Sequence, residues 1–146
     1  MKTKKGFTLV EVLLVVVIIA ILAAIVIVAI NPARQIAQAN NTQRSTDVKT
    51  VLDAVHEYGI DNRGVLPTGI TATATEVGSG SGQIDICSDL VPTYVAAMPF
   101  DPNATGAHYT SCADYDTGYT ILEDANGRIT VAAPGAELSE TITVTR

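Results

Sequence analysis

The chain of 146 residues has no tryptophan, two phenylalanines and five tyrosines, so a folded core must be built mainly from aliphatic side chains. Its two cysteines exclude a four-cysteine zinc cage, and their spacing offers no Cys-x-x-Cys redox pair. His56 and His108 are the only histidines, without a His-Glu-x-x-His motif, a Gly-x-Ser-x-Gly elbow or a recognisable acid pair beside them. Each reads as a solvated or packing residue, and the sequence assigns no enzymatic activity. Basic side chains are scarce too, nine against fifteen acidic for a formal net charge of −6, which argues against a broad nonspecific nucleic-acid surface. The tract Gly78-Ser-Gly-Ser-Gly82 lacks the Lys-Ser/Thr ending of a phosphate-binding loop and reads as a flexible surface loop.

One long apolar run stands out against these scarcities. Val12 to Ile30 contains only Val, Leu, Ile and Ala, and with Phe7 to Val10 the stretch is interrupted only by Thr8 and Glu11. As a helix, residues 7–30 rise roughly 36 Å, enough to cross a bilayer core with some tilt. Lys2, Lys4 and Lys5 precede the run with no acid nearby, which places the short amino end in the cytoplasm and the remainder outside. An ordinary secretory signal shares the basic start, but its apolar region is usually shorter and ends at a small-x-small cleavage site, and no clear one closes this run. Glu11 is the anomaly, because a carboxylate deep in hydrocarbon costs about 2.5 to 3.5 kcal/mol and persists mainly where it finds a partner or stays wet near the headgroups.

The residues Lys4-Lys-Gly6-Phe7-Thr-Leu-Val-Glu11, followed by a Leu/Val/Ile/Ala helix, resemble the prepilin leader of type IV pilins and of type II secretion pseudopilins. The resemblance covers about residues 2–30. It implies that a prepilin peptidase cuts between Gly6 and Phe7 and then N-methylates the new terminus at Phe7. Gly6 suits such a cut because it has no side chain to obstruct a protease cleft. Glu11 becomes the fifth residue of the mature chain, and the resemblance implies that it pairs with the charged terminus of a neighbouring subunit during assembly. An ammonium and a carboxylate attract strongly in a low-dielectric setting, which would favour one axial register. A contact between Phe7 and Glu11 within one helix, four residues apart, is the alternative. Without Lys2, Lys4 and Lys5 the chain has six basic residues against fifteen acidic, a net charge of −9.

Past the run, Pro32 punctuates a sequence that stays helical in pattern. Ile36, Val48, Val51, Leu52, Val55 and Tyr58 form an apolar stripe, with Arg34, Gln35, Arg44, Asp47, Lys49, Asp53 and Glu57 assigned to the other faces. The pattern predicts one long, gently bent helix ending at Gly59 as its C-cap. Residues 65–92 lack clear periodicity, whereas Tyr119–Leu122, Ile129–Ala133 and Ile142–Thr145 read as short strands. Asn126-Gly127 predicts a hairpin turn between the first two.

The expected architecture is therefore α+β, a pilin fold in which a long amino-terminal helix, half transmembrane and half amphipathic, packs on a small antiparallel sheet. Its parts are a leader over 1–6, a transmembrane or filament-core helix over 7–30, an amphipathic helix over 31–60 and a globular head over 61–146. Cys87 and Cys112 lie in the external part and are expected to form a disulfide tying loop to sheet, two free buried thiols being the alternative.

Pro99-Phe-Asp101-Pro102 resembles the Pro-x-Asp-Pro region of major pseudopilins, whose following loop binds calcium. Asp114 and Asp116 are the Ca²⁺ candidates here, although the Trp-Gly that the family carries after Asp-Pro is replaced by Asn103-Ala104 and two carboxylates fall short of six to eight ligands. A solvated acidic turn is the plainer reading, and no cofactor is otherwise expected. The resemblance implies a filament subunit held in the cytoplasmic membrane with its head outside, then built into an extracellular or periplasmic polymer. Its partners would be copies of itself, related minor pilins, prepilin peptidase, a platform membrane protein and an assembly ATPase. A surface pilus for adhesion, motility or DNA uptake, a type II secretion pseudopilus, and a membrane-anchored binding protein that never polymerises are the three readings it leaves.

Overall fold

The computed structural model describes residues 6–146, so Lys2, Lys4, Lys5 and most of the expected leader over 1–6 lie outside the described residues. The chain divides into two units, Met1–Ile36 and Ala37–Arg146.

In the first unit α1 spans Leu9–Ile30, and Glu11 is its only side chain that is not aliphatic. None of its residues is buried. It stops at Asn31, which takes a left-handed backbone with φ of 47° and so turns the chain out of the helix. The same asparagine opens α2 (Pro32–Asp61), its side-chain oxygen accepting from the Arg34 amide at 3.3 Å. Pro32 sits in the first position of α2, where a helix needs no N–H, rather than in a helix interior. The expected continuous helix is thus two helices, because the proline begins one instead of bending one.

The second unit is built on α2. Its buried positions Ala37, Asn41, Arg44, Val48, Val51, Leu52, Ala54, Val55 and Gly59 follow the helical period and form one stripe. Ile36, expected in that stripe, is exposed, and Arg44, expected on a solvated face, lies inside it. Gly59 does not end the helix: it is buried against Leu66, and the chain leaves α2 two residues later through left-handed Arg63 and Gly64, with the Gly64 amide on the Gly59 carbonyl at 2.7 Å. From Ala37 onward, α2 belongs to the same compact unit as the sheet. Along its exposed side, the hydroxyls of Thr42, Thr46 and Thr50 each donate to the carbonyl four residues back, at 2.9, 3.1 and 3.0 Å.

The remaining elements are β1 (Thr75–Gly78), the single turn α3 (Cys87–Leu90), β2 (His108–Ser111), β3 (Asp114–Glu123), β4 (Ile129–Ala133) and β5 (Ile142–Thr145). They form an antiparallel sheet of order β1-β3-β4-β5, with β2 also paired to β3. Alternation along β3 buries Tyr115, Thr117, Tyr119 and Ile121, and along β4 Ile129, Val131 and Ala133. All of these except Thr117 share one core with Val48, Val51, Leu52 and Val55 of α2. The β3–β4 reversal is the predicted hairpin: Gly127 has φ of 76°, and Asp124 ties the turn by accepting from the amides of Asn126 and Arg128. Cys87 and Cys112 are joined in a disulfide that fastens α3 to the β2–β3 reversal.

Candidate functional site

The sequence-predicted processing and assembly residues cluster at the start of α1. Thr8 is the N-cap, with φ of −80° and ψ of 152°, and the Glu11 amide donates to its hydroxyl at 3.2 Å. In return the Glu11 carboxylate accepts from the Thr8 amide at 3.3 Å and from the Thr8 hydroxyl at 3.4 Å. This reciprocal capping box satisfies two amides that a helix start otherwise leaves unpaired. A carboxylate in the first turn also meets the positive end of the helix dipole. Glu11 therefore has a partner within its own chain in Thr8. Phe7 itself is 83% exposed.

Among the described residues, a Cβ placed at Gly6 would meet nothing within 4 Å.

In the head the structure brings together residues that sequence reasoning had kept apart. Arg44 is 1% exposed, and its guanidinium grips Asp101 in a two-pronged contact, Nε to Oδ2 at 2.7 Å and Nη2 to Oδ1 at 2.9 Å. Its remaining nitrogen, Nη1, reaches Asn41 at 2.9 Å and Glu137 at 2.8 Å. Asp101 Oδ1 also accepts from the amides of Asn103 and Ala104. Asn41 completes the set by exchanging hydrogen bonds with the Glu137 backbone at 2.8 and 2.9 Å. Gly135 lets this segment approach, since a Cβ there would stand 2.7 Å from Asp101 Oδ2. The Asp101 hydrogen bond holds the Arg44 pKa well above its ordinary value. Burial pushes Asp101 upward, yet Arg44 and the two amides outweigh it and leave the carboxyl below its usual range. Asp101, read from the sequence as the edge of a calcium region, is thus a fastening of the fold, and it joins α2 to two loops.

Asp114 and Asp116, the Ca²⁺ candidates, sit on one face at the start of β3. Asp114 is exposed and accepts from His108 Nε2 at 3.1 Å, while His108 Nδ1 lies 2.6 Å from the Gly106 carbonyl. That carbonyl and then Asp114 raise the His108 pKa. Asp116 accepts from Gln83 at 2.9 Å and from the Gly118 amide at 2.9 Å. Both carboxylates are engaged within the protein, and no group of three or more His, Cys, Asp or Glu among the described residues is arranged to hold a metal. Two carboxylates alone fall short of the six to eight oxygen ligands of a calcium sphere. His56 is half-buried with its Nε2 unpartnered.

A signal for the Arg44 network was present in the sequence. Asn41 and Arg44 fall in phase with Val48 and Val51, so the apolar period runs through two polar residues. Buried polar groups of that kind need partners. Their distant partners, 57 to 96 residues away, could not be named from spacing.

No curated protein and no solved structure matches the chain. Residues 1–27 match the family model of the prokaryotic N-terminal methylation motif, and this chain accordingly carries at its amino end the signature of type IV pilins and pseudopilins.

Proposed function

We propose that this protein is a structural subunit of a bacterial type IV pilus or pilus-like filament, cut between Gly6 and Phe7, N-methylated at Phe7 and polymerised through α1. The observation that carries the reading is a methylation motif over residues 1–27 joined to a 22-residue apolar helix that buries none of its residues. Such a helix is not stable alone in water, and lipid or neighbouring apolar helices are the two surroundings that satisfy it. The motif marks a structural family rather than an enzymatic one, and it implies processing by prepilin peptidase and assembly with other pilins. A platform membrane protein and an assembly ATPase complete the partners of this reading. Before assembly the chain is held in the cytoplasmic membrane by α1 with its head outside, and afterwards it stands in an extracellular or periplasmic filament.

The secretion-pseudopilus reading leaned on Asp101-Pro102 and a calcium loop. Asp101 is taken up by Arg44 in the folding of the head, and we place the surface pilus first and the secretion pseudopilus second.

Glu11 is the residue proposed to set the register between subunits, which requires it to exchange Thr8 for the amino terminus of a neighbour. Mass spectrometry of the mature protein from its native membrane tests the route: the expected terminus is N-methylated Phe7. A terminus beyond residue 25 would show a conventional signal peptide and overturn it. In the same cells Glu11→Ala is expected to abolish filaments while leaving cleavage intact.

A further inference from the structure

The two long edges of the sheet are treated differently. Outside β1 the edge is covered, because Ile84 runs beside it, donating to the Glu76 carbonyl at 2.8 Å and accepting from the Gly78 amide at 3.0 Å. At the other end β5 closes the strand order, and nothing among the described residues pairs beyond it.

The register of β5 tells which of its groups face outward. Arg146 and Ile129 exchange both backbone hydrogen bonds, at 2.8 and 3.0 Å, and pairing continues as Thr145 to Thr130, Val144 to Val131 and Thr143 to Ala132. In an antiparallel ladder such exchanges alternate, so Ile142, Val144 and Arg146 turn their backbone groups to β4. Thr143 and Thr145, and Thr141 before them, turn theirs outward. A row of free amides and carbonyls on a strand rich in β-branched residues, without proline or glycine, is a ready template for another strand. A cleft of about 770 Å³ beside β5, lined by Gln38, Thr42, Thr46 and Lys49 of α2, leaves room for it.

The sequence of the edge identifies the occupant. Glu140-Thr-Ile-Thr-Val-Thr-Arg146 is nearly a palindrome in chemistry about Thr143. When two such strands run antiparallel about that residue, Thr143 faces its own copy and Thr141 faces Thr145 of the second copy. Ile142 then faces Val144, and Glu140 faces Arg146, twice over. All three outward-turned threonines fall on hydrogen-bonded positions, while the apolar and charged pairs fall between them, where cross-strand side chains approach most closely. The present partner of Arg146 is Asp53 at 2.8 Å, with both side chains more than half exposed, so little is lost if Arg146 turns to Glu140.

We propose that β5 is a self-pairing edge, which joins the heads of two copies of this chain through an antiparallel β5–β5 ladder centred on Thr143. A two-fold contact of this kind closes on itself, so it links copies in pairs and does not propagate a polymer. It therefore stands apart from any packing of α1 and does not rest on the filament reading.

The test uses the full chain in detergent micelles with a mild oxidant and single cysteines on the exposed face of β5. Thr143→Cys is expected to give a covalent dimer, and Thr145→Cys alone to give little. A mixture of Thr141→Cys and Thr145→Cys chains should give the heterodimer. Glu140→Arg in the Thr143→Cys background places like charges opposite each other at both ends and should lower the yield by about fivefold or more. Adding Arg146→Glu to that variant should restore it. Equal crosslinking at all three positions, yields indifferent to charge reversal, or Thr143→Cys chains that stay monomeric or join a different protein would each overturn the proposal.

Discussion

Helices α1 and α2 lie next to each other in sequence and solve opposite problems. Among the 22 residues of α1 none is buried, although nearly all are apolar, whereas α2 buries nine of 30 in a much more polar sequence. What separates them is where their partners are. Those of α2 lie in the same chain, on a sheet folded against it, and they choose which of its faces is apolar. α1 is apolar on every face, as a helix must be when its surroundings have no single direction. Stability of the head and placement of α1 are thus separate quantities, and substitutions in one should leave the other alone.

The sharpest probe of that separation is Asp101→Ala, which leaves Arg44 buried and charged without its main partner. Loss of one member of a buried pair costs about 3–5 kcal/mol, read as a lower denaturation midpoint of the head in the full chain held in micelles. Membrane insertion of α1 is expected to be unaffected.

Acid is the milder probe of the same contact. Asp101 is held below its ordinary value of 3.8, so its contribution is complete above that value and is lost as pH falls through the lowered one. Asp47 works in the opposite sense: burial raises its pKa against the pull of the Tyr119 hydroxyl at 2.8 Å, so its protonation on acidification is easier in the folded state. Head stability should therefore fall below about pH 4, the range where carboxylates protonate, with a slope that Asp101→Ala flattens. Thermal melts across an acid series check this.

The smallest effect is expected from Leu14→Ala. Leu14 is not buried, so the head should melt within about 0.5 kcal/mol of the parent, the usual range for substitutions away from a packed site. A drop of core size would show that α1 does stabilise the head and would erase the contrast between the two helices.

The same contrast explains what could be read in advance. The apolar run of α1 and the motif around Glu11 are local patterns of adjacent residues, and β4 and β5 announce themselves by runs of Ile, Thr and Val. β1, β2 and α3, of four residues each, carry no such signal and exist because β3 and the disulfide hold them in place. The break at Asn31 was hidden by the proline beside it, since a proline inside a helix and a proline beginning one look alike in sequence. Arg44 was misplaced because charge suggested solvent, while its helical phase already placed it beneath Val48. The role of Asp101 was out of reach for a related reason: its partner Arg44 lies 57 residues away, and no local pattern joins the two.

The threonines of α2 change how its outer face should be imagined. Thr42, Thr46 and Thr50 spend their hydroxyls on carbonyls of their own helix. What each then offers to its surroundings is weighted toward its methyl group. A surface that any residue count scores as polar is in part a row of methyls along one flank, damp rather than wet, and a neighbouring molecule laid there would displace water more easily than the sequence suggests.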